Sequence, residues 1–311
     1  MIRKYINLDQ TFDPFSVDGM LAQTIQFSNF TFKGGEPHIK ILMPHMSVEM
    51  NRIEVYISHR IMDYRDLGLL EVAVDALRGL GFTKLFLTLP YFPGARQDRR
   101  MVEGEPFTSA IYVKALSKMN FIEIVSMDLH SDVVAGMFAV LDSPRKFHDI
   151  SNHLFVDECL VDIEGKDSDD TDVTIISPDA GSNKKIKALG MHLSNDMYSY
   201  PIVKCDKTRD VLTGEITGFE VYSGNLNGRD AVIVDDICDG GGTFIGLAEE
   251  LKKRGAKRVF LVVTHGIFSR GIKVLTDVFD GVYCTNSCSS TKYHEGIVSS
   301  KFHIIPLKYS L

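Results

Sequence analysis

Apolar residues along this chain fall into two recurring textures. Short β-branched or aromatic runs at residues 53–58, 84–89, 122–127, 173–176, 202–205, 231–234 and 259–263 predict strands. Their near-continuous hydrophobicity, without strict alternation, is that of parallel strands covered on both faces. Between them lie segments with helical spacing. Residues 67–79 form one; another opens at Thr243, where Phe244, Leu247, Ala248 and Leu251 share a face and Gly255 stops the helix after Lys252, Lys253 and Arg254. One such passage occurs twice: VDALRGLGFTKLFLTL (74–89) and AEELKKRGAKRVFLVV (248–263) share the helix, the glycine stop, the basic residue and the following strand. Repetition of a helix–strand unit predicts two α/β domains. The first copy carries MDYRDLG where the second carries DDICDGGGT.

Other stretches are plainer. Residues 1–34 are weakly patterned, with a helix expected at 20–26 and with Phe27, Phe30 and Phe32 expected in the core. The acidic stretch 157–172 reads as a flexible solvated loop, and 214–223 and 224–228 read as hairpin or turn. The passage between the halves is placed near 146–150, giving domains 1–148 and 149–311. At 311 residues the chain is long enough for two real cores. A net charge of −7 argues against general nucleic-acid binding, which needs a basic surface. The five cysteines include no CxxC pair, as in a reducing compartment. No signal-peptide core or membrane-length apolar run occurs, so a soluble, cytoplasmic protein is expected.

The segment 230–243, DAVIVDDICDGGGT, concentrates the chemistry. An apolar strand is expected to end at Asp235 and Asp236. Asp239, Gly240, Gly241, Gly242 and Thr243 then lead into a helix. Glycines let backbone approach a ligand closely, and amides at a helix start favour an anion. Carboxylates beside a phosphate would repel it unless they bind sugar hydroxyls or a divalent cation, so a sugar phosphate meets both demands. No Walker A sequence occurs, residues 240–246 miss GxGxxG by one position, and an EF-hand begun at Asp235 would need Glu where Gly246 stands.

Further polar clusters follow predicted strands. Arg96, Gln97, Asp98, Arg99 and Arg100 are either a solvated charged loop or, at the C-terminal end of a strand, a clamp for a polyphosphate. In DLHSD, Asp128 and His130 are expected on one strand face, since side chains alternate. Magnesium prefers oxygen ligands, so metal chemistry alone does not select His130. Asp179 lies in a Pro-Asp turn, Lys184, Lys185 and Lys187 are expected in solvent, and Lys207 and Arg209 are expected on an exposed loop.

Together VDDICDGGGT, YFPGARQDRR (91–100), DLHSD (128–132), SPDAG (177–181) and DKTRD (206–210) resemble, in order, the motifs of the ribose-phosphate pyrophosphokinase family, with its type I phosphoribosyltransferase-like fold. The resemblance implies two tandem α/β domains of that fold, each a mostly parallel sheet flanked by helices. It implies transfer of the β,γ-diphosphate of ATP to the C1 hydroxyl of ribose 5-phosphate, with Mg2+. Phe32, Glu36, Arg96, Gln97, Asp98 and His130 would bind ATP, with His130 and Asp179 at the metal. Asp235, Asp236, Asp239, Gly240, Gly241, Gly242 and Thr243 would bind ribose 5-phosphate, while Lys207 and Arg209 on a closing loop would be catalytic. It also implies a homo-oligomer of dimers, up to a hexamer. The sequence departs from the family pattern at Gly34, where Asp is usual and a hydrogen-bond partner of the base is lost. It departs again at Gly94, which replaces an aromatic residue and adds flexibility, and at Gly240, where Thr is usual. These departures keep open a catalytically weak regulatory subunit, while the glycine loop alone would also suit a phosphoribosyltransferase consuming the diphosphorylated sugar, which leaves the first half, the arginine loop and DLHSD unused.

Overall fold

The structure, a computed structural model, describes residues 2–15, 24–42, 49–141, 144, 146–165, 172–194, 199–209, 216–222, 225–288 and 299–308. The chain divides into two compact units. One comprises Met1–Ser151, Ser287–Ser289 and Pro306–Leu311, the other Asn152–Asn286 and Ser290–Ile305.

In the first unit the elements run β1 (Ile2–Asn7), β2 (Gln26–Thr31), β3 (Pro37–Leu42), β4 (Ile53–Ser58), α1 (Tyr64–Gly79), β5 (Lys84–Thr88), α2 (Thr108–Lys118), β6 (Glu123–Met127), α3 (Val133–Ala139) and β7 (Lys146–Ile150). Five strands form a parallel sheet in the order β1-β4-β5-β6-β7, and β2 and β3 make a separate antiparallel pair. Strand alternation sorts the side chains. Ile6, Val55, Ile57, Leu85, Leu87 and Ile124 join the buried stripe of α1, formed by Leu67, Leu70, Ala73, Val74 and Leu77. On the opposite face Tyr5, Tyr56 and Phe86 stand in lateral register, with ring centroids 5.7 and 4.6 Å apart.

The second unit runs α4 (His153–Glu164), β8 (Val173–Ser177), α5 (Asn183–Leu193), β9 (Ile202–Arg209), β10 (Ile216–Val221), β11 (Asp230–Cys238), α6 (Gly242–Lys253), β12 (Val259–Gly266), α7 (Lys273–Thr276), β13 (Gly281–Thr285) and β14 (Phe302–Ile305). Its sheet order is β10-β9-β8-β11-β12-β13-β14, parallel apart from the β9–β10 pair. Strand for strand, β8, β11, β12, β13 and β14 repeat β1, β4, β5, β6 and β7. A hairpin follows the first strand of each unit. In the second unit it pairs through β9 with β8, and in the first Thr24 makes a single parallel bridge to Tyr5. The repeat in the sequence is therefore a repeat of topology: α1 and α6 end before Gly81 (φ 94°) and Gly255 (φ 84°), each leading into the next parallel strand.

Several local expectations differ from the structure. β11 does not stop at the acid pair but continues to Cys238, because Asp235, Ile237 and Cys238 keep parallel register with Val263, His265 and Gly266 of β12. Much of the supposed acidic loop is α4, whose Phe155, Val156, Cys159, Leu160 and Ile163 supply a buried stripe while its acids occupy the other positions. Residues 166–171 lie outside the described residues. Of the expected helix at 20–26, residues 20–23 lie outside them and Gln26 opens β2. Of the two turns, 214–215 and 223–224 lie outside, and 216–221 form β10. Residues 146–150 form an edge strand of the first sheet. Phe30 and Phe32 are about half exposed, at 53% and 50%, and only Phe27 packs against the core. Lys207 lies on a strand, since β9 runs on to Arg209.

β11 begins with a buried acid. Asp230 Oδ2 accepts from Arg258 Nη2 at 2.6 Å and from Nε at 3.1 Å, and the guanidinium lies 5.0 Å over the Phe260 ring. Asp230 Oδ1 is buried without a hydrogen-bond partner, so all compensation for this carboxylate comes through Arg258. Arg258→Met should therefore destabilise the chain by about 2 kcal/mol, read as a lower denaturation midpoint, because it strands a desolvated charge. Adding Asp230→Asn should recover part of that loss. An unchanged midpoint in Arg258→Met would contradict the assignment.

Candidate active site

At the C-terminal end of β11 the chain turns into α6 through Asp239, Gly240 and Gly241. Gly241 occupies the N-cap position with φ 77°, and a β-carbon there would meet Leu275 Cδ2 at 2.7 Å. Glycine is required on both counts. A glycine at this position offers no side chain to cap the helix. The equivalent helix of the first unit is closed by its own sequence. Asp63 accepts from the amides of Arg65 and Asp66, and Asp66 returns a bond to the Asp63 amide, a complete capping box. Of the two corresponding helix starts, only α6 lacks a capping side chain at its N-cap. The helix dipole adds about half a positive charge there. The turn is partly open: Gly242 is exposed, Asp239, Gly240 and Thr243 are half-buried, and Gly241 is buried.

Just upstream stands the acid pair. Asp236 is buried, and its amide donates to Asp235 Oδ1 at 2.9 Å. Burial, then the charges of Asp236 and Asp179, push Asp235 well above the ordinary carboxylate range. Two lysines approach these acids. Lys185 Nζ lies 3.4 Å from Asp236 Oδ2, and Lys207 Nζ lies 2.5 Å from Asp179 Oδ2. Asp179 is set by a tight turn: Ser182 N donates to its Oδ1 at 3.0 Å and Ser182 Oγ to its carbonyl at 2.8 Å, with Ser177 Oγ 2.7 Å from Ser182 Oγ. The ends of β8, β9 and β11 thus bring Asp179, Lys207, Asp235 and Asp236 into one electrostatic neighbourhood. Lys185 corrects the expectation of a solvated lysine; its place at the start of α5, just past a strand end, was the available signal. The Arg209 side chain lies outside what is described.

In the first unit, the loop after β5 is rigid at Gly94. That residue has φ 68°, and a β-carbon would meet Thr108 Cγ2 at 2.8 Å, so the glycine marks a packed turn rather than added flexibility. Gln97 N closes the turn on the Gly94 carbonyl at 2.9 Å, and the Gln97 carbonyl accepts from the Ser109 hydroxyl at 3.2 Å. Arg96 and Gln97 remain exposed, whereas Asp98 is buried and accepts from Arg99 Nε at 3.2 Å. Asp128 and His130 do not share a strand face. β6 ends at Met127, Asp128 takes φ 45° and is buried with its amide bonded to the Ile150 carbonyl, and His130 is exposed. The β2–β3 turn presents Phe32 beside Phe30 and His38, with centroids 4.8 and 5.6 Å away. Glu36 fills the space over Gly34, its Oε2 2.6 Å from where a β-carbon would stand.

The family model described as "Phosphoribosyl synthetase-associated domain" matches residues 206–303. The ribose-phosphate pyrophosphokinase of Vibrio parahaemolyticus is 33% identical over 226 residues, covering 72% of this chain and 67% of that protein. The chain belongs to the ribose-phosphate pyrophosphokinase family. The Mycoplasmopsis pulmonis ribose-phosphate pyrophosphokinase is 34% identical over 219 residues, covering 70% of this chain and 63% of that protein, so the matched part falls short of the relative's full length. A phosphoribosylpyrophosphate synthetase from Mycobacterium smegmatis superposes with a TM-score of 0.74 at 19% identity, over 99% of this chain and 95% of that one. That likeness establishes the same two-domain α/β fold.

Among the described residues no three His, Cys, Asp or Glu side chains form a metal site by themselves. The oxygen donors of Asp179, Asp235 and Asp236 nevertheless suit a hard cation that keeps most of its ligands as water and phosphate. The other expected metal ligand, His130, is exposed on the first unit.

The raised Asp235 has a consequence for stability. Its carboxyl takes a proton more readily folded than unfolded, so its contribution is fully present below the unfolded value and lost as pH rises through the folded one. Asp235→Asn, measured with a chelator present, should therefore raise Tm at neutral pH, and the gain should vanish in acid below the ordinary carboxylate range. Equal Tm values for the two proteins at neutral pH would contradict this.

Proposed function

We propose that the chain is an ATP:ribose-5-phosphate diphosphotransferase. The C1 hydroxyl oxygen of ribose 5-phosphate forms a bond to the β-phosphorus of ATP, the bond from that phosphorus to the α–β bridging oxygen breaks, and AMP leaves with that oxygen. The hydroxyl proton is released, and the product is the 1-diphosphate of the sugar phosphate. The observation that carries the reading is the uncapped start of α6 beside a carboxylate pair, in the one unit whose equivalent helix elsewhere is self-capped.

In this reading the amides from Asp239 to Thr243 hold the 5-phosphate, while Asp235 and Asp236 face ribose hydroxyls or their cation. Phe32 stacks on the base and Glu36 reads its edge. Arg96, Gln97, Asp98 and His130 orient the polyphosphate from the first unit. Mg2+, held through Asp179 and His130, would neutralise charge on the phosphate oxygens. Lys207 and Arg209 stabilise the charge that spreads over the transferring group. The contact of Lys207 with Asp179 supports this role by holding the ammonium beside the carboxylates. Catalysis then rests on positioning and charge neutralisation rather than on a general base. Assembly as a dimer-based homo-oligomer and a cytoplasmic location belong to the same reading, the latter supported by five buried cysteines that form no disulfide.

Incubating the pure chain with ATP, Mg2+ and ribose 5-phosphate should yield AMP only when the sugar phosphate is present. Lys207→Ala should lower turnover on the order of a hundredfold while changing ribose 5-phosphate affinity far less. AMP formation independent of the sugar would sink the reaction, and undiminished turnover in Lys207→Ala would sink the role of that lysine.

A further inference from the structure

The turn that leaves β12 is fastened to the end of the strand from which the glycine loop departs. Both Ile267 N and Phe268 N donate to the Cys238 carbonyl, at 2.8 and 3.2 Å. Phe268 adopts φ 47°, its buried ring meets Phe302 edge-on at 5.7 Å, and a β-carbon on Gly266 would overlap that ring at 2.2 Å. This bracing sets the next residues, Ser269 and Arg270, against the loop. A β-carbon built on Gly240 would meet Arg270 Cδ at 3.2 Å and Cγ at 3.7 Å, with Ser269 Oγ at 3.9 Å. The stem of Arg270 therefore lies across the residue that follows Asp239. Arg270 is exposed and, among the described residues, enters no hydrogen bond or ion pair.

The loop itself is poor in positive charge. Asp235, Asp236 and Asp239 precede or begin it, and Gly240, Gly241, Gly242 and Thr243 complete it without a cation. The two nearby lysines are engaged with Asp236 and Asp179. A dianion would meet the fractional charge of a helix start against full carboxylate charges. A guanidinium at the rim reverses that balance, and its fork matches two phosphate oxygens.

We propose that Arg270 is a specificity-determining residue for the terminal phosphate monoester of the sugar, and that Gly240 is the residue whose missing side chain makes room for it. The proposal rests on the sugar-phosphate reading of the loop. It also gives Gly240 a positive role, because a threonine there would crowd the Arg270 stem and shift it from the loop.

Equilibrium titration of the full chain with ribose 5-phosphate, and separately with ATP, tests it. Arg270→Met, which keeps the bulk of the stem, should weaken ribose 5-phosphate binding by about tenfold or more, as expected for one charge-assisted hydrogen bond. ATP binding should be unchanged, and Arg270→Lys should recover part of the loss. Gly240→Thr should weaken sugar-phosphate binding in the parent but cost little when added to Arg270→Met. Undiminished ribose 5-phosphate affinity in Arg270→Met overturns the proposal while leaving the reading of the loop intact. Loss of ATP binding alongside assigns Arg270 a structural role and also overturns it, as does an equal cost of Gly240→Thr in both backgrounds. A parent chain that fails to bind ribose 5-phosphate overturns both the proposal and the reading beneath it.

Discussion

Backbone amides at the first turn of an α-helix have no acceptor inside their own helix, and something must supply one. In this molecule the two copies of one α/β unit answer differently. α1 closes its amides with the Asp63–Asp66 box, whereas α6 starts on Gly241 in a left-handed conformation with no capping side chain. Close packing surrounds the start of α6. Leu275 leaves no space for a β-carbon at Gly241, the Phe219 ring leaves none at Gly246, and the Cys238 carbonyl anchors the turn after β12. The parallel sheet provides the frame: each strand delivers its successor loop to the same edge of the unit, where open α/β sheets hold ligands.

The same edge carries an electrostatic tension. Burial first, then the neighbouring charges of Asp236 and Asp179, raise the cost of charge on Asp235. Lys185 and Lys207 offset part of this. Elsewhere in the unit a buried carboxylate, Asp230, is matched at the start of the strand by an arginine that donates twice to its Oδ2. Asp235, further along the same strand, has no such partner. A carboxylate held in an unfavourable setting is a feature that clusters at functional sites, and it fits the cation and phosphate site proposed for this loop.

Much of this was legible in the residues. The β-branched runs located the central parallel strands to within a few positions, and the internal repeat foretold the matching topology. The glycine triplet after an acid pair located the candidate site. What the sequence concealed has physical causes. The continuation of β11 through two aspartates depends on pairing with β12, a tertiary contact that polar residues do not advertise. The acids of α4 masked a helical stripe because they run on into the acidic stretch that follows it. Asp128 defeats strand alternation through a positive φ that an aspartate seldom adopts. Phe30 and Phe32 look like core residues in composition but ride on an exposed hairpin beside His38. The ion pairs of Lys185 and Lys207 depend on which strand ends meet, and no local pattern encodes that.

The account depends on where the sugar's phosphate rests. The most direct measurement is a crystal structure of the chain soaked with ribose 5-phosphate, Mg2+ and a non-hydrolysable ATP analogue. The 5-phosphate should be found on the amides of residues 239–243, with the ribose hydroxyls toward Asp235 and Asp236. A sugar phosphate bound anywhere else, with the start of α6 solvated, would contradict the central claim.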